Sequence, residues 1–290
     1  MAIMATVTQV AKHKETNMLA TQLIPTEKFE VIKTGRIPPY PAEKENVPPD
    51  VMGSAVDYYT RYLLTNDFRK SFKYAIRGVD ICVKELKSKG EHDYAEEIWS
   101  DAVLVGEKYG KSPTRALSLA WFDSYYRCGI PRKPYDVEDE DRENLNYMSR
   151  SCADFVKTLG DVVDVGTELK NDKAMTTISV MSCGIEPVDI PCEGIVGDID
   201  ILTTKALIDI KTTKGAQKSD VLKREAKMQM ALYYLLGLRS EDEQIRQAFE
   251  RLEKLAFFNP RYGVGYVIDI ADIGQKALNT IALSVLGLEE

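Results

Sequence analysis

A chain of 290 residues, 44% apolar and 29% charged, has the material for one large globular body or two small ones, which sets aside disordered and fibrous classes. No apolar run approaches the roughly 18–20 residues of a membrane span, and the opening MAIMATVTQVAKHKETN lacks the apolar stretch of a secretory signal, so a cytoplasmic protein without a membrane partner is expected. The net charge of −7 argues against a protein that coats nucleic acid indiscriminately.

Residues 1–49 end in RIPPYPAEKENVPPD, whose prolines exclude a helix or a central strand, and are expected to form a poorly ordered or extended arm. From 50 to 158 apolar residues recur at three- and four-residue spacing, which predicts a helical region packed on the core. Its segments are VMGSAVDYYTRYLL with Asp50 as a possible cap, FRKSFKYAIRGVDICVKELKSKG, HDYAEEIWSDAVLVGEKYG, PTRALSLAWFDSYYRCG, and a last helix over about 138–158. Beyond residue 159 the character changes. Strands are expected at 162–169, 175–182, 194–202 and 206–212, then a long helix at about 219–238 and a helical 239–251. Two further strands (254–259 and 264–270) and a C-terminal helix (271–287) complete a mixed α/β region spanning 159–290.

The five cysteines are odd in number and never in C-x-x-C spacing, so reduced thiols are expected rather than disulfides or zinc. Residues 136–143 carry six acids and one arginine, whereas residues 205–227 carry seven lysines or arginines against three acids. A basic stretch in an acidic protein marks either a solvated helix face or a focused anion-binding surface.

That stretch contains GIVGDIDILTTKALIDIKTTK, residues 194–214. Period-two alternation sends Asp198 and Asp200 to one side of a strand, Asp209 and Lys211 to one side of the next. A tight turn around Thr203–Ala206 makes a hairpin in which Asp200 faces Asp209 and Asp198 faces Lys211. Facing carboxylates repel unless a cation lies between them, and carboxylate oxygens are what Mg²⁺ prefers. Lys211 beside such a metal could orient a water and share charge on a phosphate, so two acids and a lysine suffice for phosphodiester hydrolysis.

Asp200 followed by Asp209-Ile210-Lys211 resembles the PD-(D/E)XK nuclease superfamily. Gln229-Met230-Ala231-Leu232-Tyr233, with glutamine and tyrosine on one helical face, resembles the Q-x-x-x-Y element of its RecB-like branch. The resemblance implies a restriction-endonuclease-like α-β-β-β-α-β core with a mixed central sheet, preceded by the helical region. It implies Mg²⁺, with Mn²⁺ able to substitute, held by Asp200, Asp209 and the carbonyl of Ile210. Glu168, or Asp57 at the position of the branch's usual histidine, would complete the shell or hold a second metal. Lys211 would position the attacking water, and Gln229 and Tyr233 the strand. Lys214, Lys218, Lys223, Arg224 and Lys227 would meet the phosphate backbone. No iron–sulfur cluster is expected, because no cysteine follows Cys192, and no Walker A motif is present.

The function implied is a DNA exonuclease of recombination, repair or phage DNA processing, in bacterial or phage-infected cytoplasm, with a homo-oligomer or a recombination protein as possible partner. The alternatives are an endonuclease of the same fold, a catalytically silent binding module, and a phosphohydrolase of small nucleotides.

Overall fold

In the computed structural model, residues 4–104, 107–108, 112–129, 135–180, 188–215 and 217–288 are described. The chain opens with a short strand β1 (Ala5–Thr6) and helices α1 (Val7–Lys12) and α2 (Lys14–Leu23), then strand β2 (Glu30–Lys33). Thr6 and Gln9 form a reciprocal capping box that starts α1. The helical region comes next: α3 (Pro49–Thr65), α4 (Phe68–Ser71), α5 (Lys73–Ser88), α6 (His92–Trp99) with a π turn at Ser100–Leu104, α7 (Pro113–Trp121), α8 (Asp123–Cys128) and α9 (Asp139–Thr158). Pro48, not Asp50, precedes α3, and Asp50 lies in the helix's first turn.

Strands β3 (Val162–Val165), β4 (Glu168–Val180), β5 (Val188–Asp198), β6 (Ile201–Thr203) and β7 (Ala206–Ile210) lie beyond it. Part of the strand expected at 175–182 lies outside the described residues. After β7 the expected long helix is broken into α10 (Lys218–Val221) and α11 (Arg224–Gly237) at Leu222, whose backbone leaves helical geometry and whose side chain is buried. Helix α12 (Glu243–Glu250), strands β8 (Lys254–Asn259) and β9 (Val264–Asp269), and helices α13 (Ile270–Ile273) and α14 (Gln275–Leu286) finish the chain. The result is a mixed α/β protein with a helical N-terminal half. Among the described residues no helix is long and apolar enough to cross a membrane.

Two sheets form. The larger has the order β2-β9-β8-β7-β6-β3; β7 and β8 run parallel and every other neighbouring pair antiparallel. The smaller has the order β1-β5-β4. The expectation of one strand over 194–202 is corrected. The alternation is continuous, but the chain changes sheets between Asp198 and Ile201, where the Asp200 carbonyl accepts the Gly166 N–H at 2.9 Å and Ile199 N–H donates to Thr167 at 3.0 Å. Asp198 therefore pairs with Glu168 on β4, not with Lys211.

The larger sheet is covered on both faces. Leu202, Leu207, Leu255, Phe257 and Ile268 join a core with α1, α2, α11 and α14. Their immediate neighbours Ile201, Ile208, Ala256, Phe258 and Val267 join a second core with the helical region. A sheet buried on both faces reads as near-continuous apolar runs, as ALIDI and KLAFFN do. In that setting a carboxylate in β7 is conspicuous, because its burial must be offset by something.

Residues 1–49, expected as a poorly ordered or extended arm, carry regular elements over much of their first 33 positions. Strand β2 forms the edge of the larger sheet on β9, and α1 and α2 pack on α11. The proline-rich stretch is tied down by polar bonds. Glu45 takes a bidentate pair from Arg261 at 2.7 and 2.8 Å, with both side chains buried, and Asp141 accepts from the N–H groups of Asn46 and Val47.

Candidate active site

The β6–β7 hairpin pairs Ile201 with Ile208 and Leu202 with Leu207. Thr203 turns the chain by accepting the N–H groups of Lys205 and Ala206 at 3.3 and 2.9 Å. Continued one residue beyond these two pairs, that register sets Asp200 across from Asp209 at the open end of the hairpin. Asp200 is fixed there: one carboxylate oxygen accepts the Ile210 N–H at 2.8 Å, the other the Arg61 guanidinium at 3.1 Å.

Asp209 is 7% exposed. The Lys211 ammonium stands 2.7 Å from its Oδ2 in an ion pair, yet that buried oxygen has no partner in hydrogen-bond geometry. Burial pushes the Asp209 carboxyl up to about 6, Lys211 opposing and Asp200 adding to the rise. Burial would lower Lys211, but Asp209 and Asp200 outweigh it and hold the ammonium above its usual range.

From α11, Gln229 accepts from Lys211 Nζ at 3.3 Å and donates to the Tyr233 hydroxyl at 2.9 Å and to Thr8 at 3.1 Å. Tyr233 lies against Gly197, where an added Cβ would come within 2.6 Å of the ring. The pairing of Gln229 and Tyr233 expected from their spacing thus reaches Lys211 directly. Thr8 comes from the segment read as an arm, and its part was not visible in the sequence.

Asp57 lines the same cleft, but Arg61, one helical turn on, occupies both its oxygens, with Nε at 2.7 Å. Arg61 is buried, and its Nη1, without a partner, presses under the turn at Gly166, where φ is +61° and a Cβ would lie 2.3 Å away. The i, i+4 spacing of D-Y-Y-T-R was the one available sign of this pair. Burial pushes Asp57 up to about 8 even against Arg61. Glu168 stands on the far wall with Asp198, its carboxylate 3.9 Å from Arg77. Asp198 accepts from the Tyr74 hydroxyl, and burial raises its carboxyl.

These groups share one cleft of about 860 Å³ whose lining holds six acids against three cations. Past Thr8 and Gln229 it continues into a depression of about 240 Å³, lined by Lys12 and Lys223. The basic cluster divides. Lys214, Lys223 and Arg224 are exposed. Lys218 spends its ammonium on the Phe29 carbonyl at 2.8 Å, and Lys227, 4% exposed, on the Ile24 carbonyl and Thr26 at 3.0 and 2.6 Å. These last two staple the N-terminal segment to α10 and α11 and are not offered to a phosphate, a correction to the expected set.

The donor set fits a magnesium ion. Two carboxylates and the adjoining Ile210 backbone face one acid-rich space, and one carboxylate oxygen is buried without a hydrogen bond. Among the described residues no three acids, histidines or thiols converge as a metal cage. Mg²⁺ does not need one, because it keeps several waters and commonly takes one or two carboxylates together with substrate phosphates. The described cysteines Cys82, Cys152 and Cys192 are free and buried. Compared with protein-family models, with curated proteins and with solved structures, the chain matches none.

Proposed function

We propose that this chain is a Mg²⁺-dependent deoxyribonuclease of the PD-(D/E)XK kind, an exonuclease working on DNA in the cytoplasm. The observation that carries the reading is the buried, hydrogen-bond-orphaned oxygen of Asp209 facing Asp200 across the hairpin, with Lys211 alongside. The ammonium at 2.7 Å offsets only part of the cost of burying that carboxylate, whose pKa still stands raised to about 6, and a divalent cation would offset more. Supporting it, α9, β3, β6, β7, α11 and β8 follow in the order α-β-β-β-α-β once three additions are set aside: the β4–β5 pair between β3 and β6, α10 before α11, and α12 before β8.

Asp200, Asp209 and the Ile210 carbonyl would hold the ion. When bound, Mg²⁺ supplies Lewis acidity at the phosphate and eases deprotonation of water. Lys211, steadied by Gln229, orients that water and shares the charge that builds on the phosphate oxygens. Gln229 and Tyr233 fix the strand so that water attacks phosphorus in line with the departing oxygen. The phosphorus–oxygen bond to the 3′ carbon breaks, that oxygen takes a proton, and a 5′-phosphate and a 3′-hydroxyl remain. Arg61 touches none of the reacting atoms; it holds Asp200 and occupies both oxygens of Asp57.

The test is digestion of linear and circular DNA with Mg²⁺. Loss of linear DNA alone is expected, with Asp209→Ala and Lys211→Ala at least about 100-fold slower while their thermal midpoints show them folded. Cutting of circles would favour an endonuclease. A wild-type protein inert with both Mg²⁺ and Mn²⁺ would turn the reading toward a binding module.

A further inference from the structure

The wall of the cleft opposite α11 carries an aromatic and cationic group that the hydrolytic machinery does not use. Tyr74 of α5 and Tyr126 of α8 are stacked, with ring centroids 5.1 Å apart and planes at 26°. Tyr74 is buried and anchored by its hydroxyl to Asp198. Tyr126 is half-buried, and both rings line the cleft. The Arg77 guanidinium lies 5.6 Å from one ring centroid and 5.7 Å from the other. The cation is nearly equidistant from two rings 5.1 Å apart and is bonded to the Tyr126 hydroxyl at 3.3 Å, while Tyr126, packed against the second core, keeps part of its surface open to the cleft. Arg127 flanks Tyr74 at 5.8 Å and is held through Nε by Asp123 at 2.7 Å. The Arg77 and Arg127 side chains are 50% and 52% exposed, each beside an acid, Glu168 at 3.9 Å and Asp123 at 2.7 Å, and Arg127 lines the cleft.

We propose that Tyr126, backed by Tyr74, is a stacking platform for an unpaired base of the DNA strand, with Arg127 and Arg77 holding the phosphate next to it. The proposal rests on the nuclease reading of the same cleft and names its substrate as a strand that is single at the point of cutting. A floor rich in acids repels a phosphate backbone, so cations must receive it at the walls. Every base has a π face, so stacking holds a strand without regard to sequence, as an enzyme that degrades any DNA requires. A base inside a duplex is already stacked on its neighbours and cannot lie on Tyr126.

The experiment is fluorescence anisotropy of a labelled oligothymidylate, with Ca²⁺ replacing Mg²⁺, run beside an abasic oligonucleotide of the same length. Tyr126→Ala is expected to weaken oligothymidylate binding by about tenfold and leave the abasic strand unchanged. Tyr126→Phe, which keeps the stack, should bind as the wild type does. Arg127→Ala should weaken both strands alike. Equal affinity of Tyr126→Ala and wild type for oligothymidylate, or equal losses on both strands, overturns the platform. If stacking behaves as expected while wild type leaves DNA uncut in Mg²⁺, the nuclease reading falls and the platform stands. If wild type cuts and Tyr126→Ala matches it in binding and kcat/KM, the platform falls and the nuclease reading stands.

Discussion

At Asp209 burial and charge conflict inside the candidate metal site itself. Its carboxyl is raised to about 6, by burial first, with Lys211 opposing and Asp200 adding. A carboxyl raised in the folded state favours folding while protonated. That contribution is complete below the ordinary carboxylate value near pH 4 and is lost as pH climbs through about 6. In the metal-free protein, Asp209→Asn should therefore match wild type near pH 4 and exceed it at pH 8, by up to about 3 kcal/mol at roughly 1.4 kcal/mol per pH unit. Mg²⁺ takes the ionised form, so its affinity should climb as pH rises toward 6 and level off above it. Thermal unfolding in chelator across that range, with calorimetric Mg²⁺ titrations, reads both. A stability gap between the two proteins that stays constant with pH would contradict this account of Asp209. Asp57 likewise sits beside a countercharge, Arg61, which occupies both its oxygens.

At the scale of elements, what was legible obeyed local periodicity. The β6–β7 register could be read because alternation and a short turn around Thr203 decide which residues face each other. The joint between β5 and β6 could not, since GIVGDIDIL alternates without a break and the change of sheet is made by Gly166 and Thr167, some thirty residues earlier. Charge pattern likewise made no distinction between Lys223, which is exposed, and Lys227, whose ammonium reaches back to Ile24 and Thr26. The first 49 residues show the same limit. Their prolines leave 36–48 with no α-helix and one short 3-10 turn at Ala42–Lys44, but what fixes the segment is Glu45 meeting Arg261, 216 positions away. Breaking a buried ion pair leaves a charge without compensation, so Glu45→Ala should cost about 3–5 kcal/mol. The denaturant midpoint measures it; a loss under about 1 kcal/mol, typical of an exposed pair, would mean that the segment is held elsewhere.

Over the whole molecule, the larger sheet separates two cores, and the cleft lies where β7 runs out between them. One wall stands on α3, α5 and α8, the other on α1 and α11, so the sheet sets the gap that a strand must enter. A net charge of −7 gives such a protein no general attraction for DNA. Affinity must then come from the bound metal and from cations placed along the path. The exposed Lys12 and Lys223 border the depression that continues the cleft past Gln229, and so lie where a strand would leave it. Each phosphate contact on a single strand contributes about 0.7 to the slope of log affinity against log salt. Lys12→Ala and Lys223→Ala should each lower that slope by about this amount, equally for every sequence. Lys218→Ala and Lys227→Ala should leave the slope unchanged and lower the thermal midpoint instead, because their ammonium groups hold the chain's own carbonyls. Affinity measured across a salt series for the four variants separates the two classes. A slope change in Lys227→Ala, or none in Lys223→Ala, would move the strand's path away from the second depression.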